Sequence, residues 1–206
     1  MIRCLVLLLC LAALPARATI DDWPALYDVA GVAADDVLNV RAAPNAGSDI
    51  LGTLAPDATG IEVIRVTPDE GWGLVNVEER AGWVSMRYMA RQAGQWAGNL
   101  RPLASCYGTE PFWILDLMPE GSSLRWSTPE GELAGTIEER LPPANRVDVE
   151  ALTFSLGDGS EGTGIVTART CSDGMSDREF GLRLDLVLRG RGEDRLLSGC
   201  CTLEGL

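Results

Sequence analysis

From Phe180 to Arg189, Leu182, Leu184, Leu186 and Leu188 alternate with Arg183, Asp185, Val187 and Arg189. A repeat of two puts all four leucines on one face of an extended chain, which no helix can do. The segment is predicted to be a strand with one face in a core and the other mostly in solvent. Residues 190–194 turn the chain, and 195–203 return as the partner strand. Further strands are expected at 112–118, 123–127, 133–137, 147–156 and 164–169. Seven or so antiparallel strands in a hundred residues suggest a closed or nearly closed up-and-down barrel.

The N-terminal half repeats the theme on a smaller scale. Short β-branched and apolar runs at 37–41, 50–54, 61–66, 72–77 and 82–85 are broken by Gly, Pro and Asp, with 78–81 joining the last two as a hairpin. Five short strands in about sixty residues fit a small barrel. The stretch Val37-Leu38-Asn39-Val40-Arg41-Ala42-Ala43-Pro44, then Ile50-Leu51-Gly52-Thr53-Leu54 and Gly82-Trp83-Val84, resembles a bacterial SH3-like (SH3b) domain. The resemblance implies a location in the cell envelope and recognition of cell-wall peptides. The fold class expected for the chain is all-β, an N-terminal SH3-like barrel followed by an antiparallel β-barrel or barrel-like sheet domain.

The expected organisation is a signal peptide at 1–18, the SH3-like unit at 25–91, a linker at 92–103 and a second β unit at 104–206. Arg3, the apolar run from 4 to 14 and Ala16-Arg17-Ala18 have the grammar of a secretory leader, with cleavage after Ala18. The linker shows neither helical nor strand period, so the two units are expected to fold separately, with a short helical turn at 89–96. The reading places the protein in the periplasm or outside the cell.

Charge narrows the partners. The net charge is -13, and removing the leader takes away two arginines and no acid, so the balance moves to −15. Such a surface repels phosphate backbones and anionic headgroups, so nucleic acid and membrane surfaces are poor partners and a cationic envelope protein is a better one.

Cysteine and histidine usage narrows the chemistry. Four cysteines follow the leader: Cys106, Cys171, Cys200 and Cys201. In an exported chain they are expected to form disulfides. A bridge between Cys200 and Cys201 is sterically poor, so each should reach one of the other two. Cys106–Cys200 with Cys171–Cys201 is the first expectation, and the crossed pairing stays open. The chain has no His and no Lys, so a Ser or Cys nucleophile has no usual base and zinc has few ligands. No catalytic residue, metal or cofactor is expected. The one enzymatic alternative is a carboxylate-dependent glycan hydrolase using Glu110 with Asp173. Asp158-Gly159 and Asp173-Gly174 read as turns.

Three clusters, Cys106-Tyr107-Gly108-Thr109-Glu110-Pro111-Phe112-Trp113, Cys171-Ser172-Asp173-Gly174-Met175-Ser176-Asp177 and Gly199-Cys200-Cys201, resemble the Cys-x-Gly-x-Glu-Pro-Phe-Trp, Cys-x-Asp-x-Met-Ser and Gly-Cys motifs of a family of bacterial envelope proteins, with Cys201 standing where that family has a non-cysteine. That resemblance implies an envelope location and no particular activity. Candidate ligand contacts are Tyr27, Trp72, Trp83 and Tyr88, aromatics able to line a shallow groove for cell-wall peptide or peptidoglycan. A second partner class is a basic glycosidase such as lysozyme, inhibited by the acidic chain.

Overall fold

The computed structural model describes residues 22–118, 122–190 and 192–203. The expected leader at 1–18 lies outside them. The N-terminal unit contains β1 (Ala25–Val29), β2 (Leu38–Arg41), β3 (Ile50–Leu54), β4 (Ile61–Val63), β5 (Arg65–Val66), β6 (Trp72–Val77), β7 (Arg80–Ser85) and β8 (Met89–Arg91). They form two sheets, β4-β1-β8 and β3-β2-β7-β6-β5. Alternate residues of both sheets, Tyr27, Val40, Val63, Val75 and Val84 among them, meet in a small core. Gly82 leaves room for the Val40 side chain of the neighbouring strand β2, since a Cβ there would lie 2.6 Å from Val40 Cγ1.

Two expectations are corrected in this unit. The single strand at 61–66 is split, since β4 pairs with β1 while β5 pairs with β6, and Ile64 is the corner where the chain changes sheets. The helical turn expected at 89–96 falls earlier, at Met86–Tyr88. Residues 89–91 are held extended because Tyr27, Asp28 and Val29 of β1 pair with them.

The C-terminal unit is a closed eight-stranded barrel of β9 (Ser105–Thr109), β10 (Phe112–Leu117), β11 (Ser123–Thr128), β12 (Gly131–Leu141), β13 (Val149–Leu156), β14 (Glu161–Cys171), β15 (Phe180–Arg189) and β16 (Arg195–Thr202). Each strand pairs with its successor, and β16 pairs with β9 to close the ring. The four leucines of β15 face inward as the alternation requires. Trp113 and Trp126 stack in the lumen with ring centroids 5.3 Å apart. Phe154 fills the space beside Gly162, where a Cβ would come within 2.1 Å of its ring. The barrel is a packed core, as eight-stranded barrels of this size allow.

The disulfides are Cys106–Cys201 and Cys171–Cys200, which corrects the first-expected pairing. Cys106 and Cys201 are direct cross-strand neighbours on β9 and β16, and both point into the core. Cys200 faces the other side of β16, so it cannot meet Cys106 and instead reaches Cys171 at the end of β14.

The two units share a polar seam. Glu62 of β4 is buried, and its Oε2 accepts hydrogen bonds from the Thr202 hydroxyl and, at 3.0 Å, the Leu203 N–H. The Asn76 side chain exchanges two hydrogen bonds with the Glu179 backbone. Asp177 adds a short parallel bridge, donating its N–H to the Glu79 carbonyl at 3.0 Å and accepting from the Ala81 N–H at 2.9 Å. Residues 92–103 are also tied down. Gln95 bonds both backbone groups of Leu26, and Arg101 pairs with Asp22 while its N–H donates to the buried Glu150.

Candidate functional site

Two concavities carry most of the sequence features singled out above. The first is a groove of about 350 Å³ on the N-terminal unit, walled by the segment that leads into β2 and floored by Trp72 and Tyr88. β6 delivers Trp72, which is half-buried opposite Ser85, and the helical turn after β7 delivers Arg87 and Tyr88. The Tyr88 carbonyl accepts from the Ala30 N–H at 2.9 Å, which fixes this wall against β1. Asp36, Arg41 and Arg87 stand at the groove with the aromatics. The Arg41 guanidinium is braced by the Ser48 carbonyl at 2.8 Å, and that of Arg87 sits 5.4 Å from the centre of the Tyr88 ring. The arrangement offers aromatic faces with two cations and one anion, suited to a short peptide bearing both charges.

The four aromatics expected to form one site do not all meet there. Trp72 and Tyr88 do. Tyr27 is 5% exposed and lies in the core, stacked on Trp23, because Ala25, Tyr27 and Val29 share the inward face of β1. Trp83 projects from the opposite side of β7 to Gly82 and Val84, and the Arg65 guanidinium covers it at 4.9 Å from the ring centre. Arg65 is itself held by Glu179. Asp36 and Arg87 escaped the sequence reading because exposed charged residues carry no periodic signal, and Arg41, half-buried at the end of β2, was read only as a strand residue.

The second concavity, of about 480 Å³, lies outside the barrel wall at β9 and β10. It joins the Cys-x-Gly-x-Glu-Pro-Phe-Trp segment to the loop after Cys171. Asp173 organises that loop. Its Oδ1 accepts from the N–H groups of Met175 and Ser176, both at 3.0 Å, and its Oδ2 accepts from the Ser176 hydroxyl at 2.8 Å. The Tyr107 hydroxyl reaches the same carboxylate at 3.4 Å, and Thr109 donates to the Asp173 carbonyl at 3.0 Å. Burial alone would raise the Asp173 pKa, but these donors outweigh it and hold the carboxyl below its ordinary value. Burial, opposed by Arg178 and reinforced by Asp173, pushes the Tyr107 hydroxyl well above the usual range, so it stays protonated. Glu110, the other acid of the glycosidase alternative, is exposed at the turn between β9 and β10.

Residues 36–90 match the family model of the bacterial SH3 domain. Comparison with curated proteins and with solved structures gives no match.

Proposed function

Starting from a bacterial SH3 domain at residues 36–90, we propose that the protein binds cell-wall peptide in the groove floored by Trp72 and Tyr88. Domains of this kind are consistent with binding to cell-wall material in general. Two disulfides, and the absence among the described residues of any helix long and apolar enough to cross a membrane, are compatible with an extracellular or periplasmic protein.

The observation that carries the finer reading is the grouping of two aromatics with Arg41, Arg87 and Asp36 around one groove. Wall peptides present carboxylates, amines and small apolar side chains within a few residues. Arginines suit the carboxylates, Asp36 suits an amine, and the Trp72 and Tyr88 faces suit the apolar parts. Nothing in this arrangement needs a nucleophile, so the role proposed is binding without catalysis.

The test is co-sedimentation with purified insoluble peptidoglycan. Arg87 is exposed, so Arg87→Glu should fold normally and lose most of the pelleted fraction, and Trp72→Ala should lose about tenfold in affinity. Full binding by both variants with unchanged melting temperatures would refute the groove as the site.

A further inference from the structure

The 480 Å³ cleft has a different character from the groove. Phe112 is 54% exposed and Met175 69% exposed, and with Ile114 they present apolar side chains to solvent. Native surfaces seldom leave such groups clustered without a partner. Among the described lining residues the ionisable side chains are Glu79, Asp173 and Tyr107, with no arginine. Where the groove offers two arginines, the cleft offers two carboxylates beside apolar walls.

The cleft is also built rather than incidental. Its floor is β9 and β10 of the barrel, with Trp113 buried behind it. One lip is the loop that Asp173 ties to Tyr107 and Thr109, and that loop is fastened at its start by Cys171–Cys200. Glu79 of the β6–β7 hairpin adjoins this lip, fixed by the bond between its carbonyl and the Asp177 N–H, and Ser127, Thr128 and Pro129 line the side beyond β10. A volume of this size lies within the range of sites that take small ligands or short peptide segments.

We propose that this cleft is a second binding site, for a cationic and partly apolar peptide segment of another envelope protein. Aliphatic or aromatic side chains of the segment would lie on Phe112, Ile114 and Met175. Its arginine or lysine would face Glu79, with the Asp173 carboxylate, already held by its own loop, adding negative charge nearby. An anionic ligand is disfavoured, because it would meet two carboxylates and no arginine among the described lining residues. The net charge of -13 favours encounter with cationic partners generally, while the apolar walls select among them. This site is independent of the groove reading and stands or falls separately.

Fluorescence anisotropy on the full chain tests the proposal with three labelled decapeptides, blocked at both ends: alternating leucine and arginine, alternating leucine and glutamate, and alternating serine and arginine. The leucine–arginine peptide should bind at least tenfold more tightly than either of the others. Phe112→Ala should weaken it about tenfold, as truncation of an aromatic anchor does. Glu79→Gln should weaken it several-fold at low salt and flatten its salt dependence. Glu139 is exposed on β12 and outside the cleft, so Glu139→Gln, with the same change in net charge, should leave binding unchanged, as should Trp72→Ala. Equal weakening by Glu79→Gln and Glu139→Gln would mean diffuse attraction to an acidic surface and overturn the proposal. Equal binding of the serine–arginine peptide, or an unaffected Phe112→Ala variant, would overturn it too.

Discussion

The two disulfides lie in one barrel and close loops of very different length, so removing them separately tests how the barrel is stabilised. Cys106–Cys201 joins residues 95 apart and Cys171–Cys200 residues 29 apart. In the chain-entropy description, the longer loop restrains the unfolded chain by about 4.7 kcal/mol and the shorter by about 3.6 kcal/mol. The inner bridge shortcuts the outer loop, which trims the difference slightly from about 1 kcal/mol. The variants are Cys106→Ala with Cys201→Ala, and Cys171→Ala with Cys200→Ala. Alanine is used because Cys106 and Cys201 are fully buried in the apolar lumen, where a serine hydroxyl would lack a partner and add its own cost. Urea unfolding followed by tryptophan fluorescence, to which the stacked Trp113 and Trp126 of the barrel contribute, should show both variants destabilised by about 2 to 4 kcal/mol, with the Cys106/Cys201 variant lower. A second readout separates local from global effects. Because Cys171–Cys200 fastens the loop that reaches the β6–β7 hairpin, its removal should speed hydrogen exchange at the Ala81 and Asp177 amides. The Cys106/Cys201 variant should leave those amides slow while the protein stays folded. A Cys171/Cys200 variant that is the less stable of the two by 1 kcal/mol or more, with those amides still protected, would refute the loop-length reasoning.

Glu62→Ala should cost about 1 to 3 kcal/mol in urea unfolding, because it removes the carboxylate that accepts from the Thr202 hydroxyl and the buried Leu203 N–H, while Glu62→Gln, which keeps an acceptor, should cost less. Gly162→Ala should lower the melting temperature by an amount equivalent to about 1 to 3 kcal/mol, since the new methyl collides with the buried Phe154 ring. The Asp173 carboxyl is held below its ordinary value of 3.8, so its contribution is fully present above that pH and is lost as pH falls through the lower, folded value. The Met175 and Ser176 amide resonances should therefore shift only below about pH 4, and an Asp173→Asn variant should show no such acid transition.

What could be read from the sequence was what periodicity encodes. Phe180–Arg189 was recognisable because Leu182, Leu184, Leu186 and Leu188 fill one face of β15. β9 was read as a motif rather than a strand. Its inward positions are Cys106 and Gly108, and Gly108 is small because a Cβ there would lie 2.3 Å from the Trp113 indole nitrogen. An apolar side chain from β10 occupies the volume that β9's own residue would have filled, which erases the alternation. The disulfide pairing then had no anchor, since the face of Cys106 is defined only once β9 is in register with β16. β1 escaped for a related reason. Apolar Leu26 on its outward face blurs the alternation of Ala25, Tyr27 and Val29, so nothing placed Tyr27 on the inward face.

The seam between the units shows a deeper limit. Asp173-Gly174 reads as a turn, and the turn forms, with Asp173 Oδ1 bonding the next two available N–H groups. Where that turn sends the chain is decided by partners that are mostly backbone. Asp177 meets the carbonyl of Glu79 and the N–H of Ala81, and Glu179 offers its own backbone groups to Asn76. Every non-proline residue carries such groups, so residue type cannot forecast the match. Phe112, Met175 and Glu79 belong to three separate stretches of sequence, and their convergence depends on this backbone seam. The cleft could thus be found only after the fold was known, although both motifs that line it were already conspicuous.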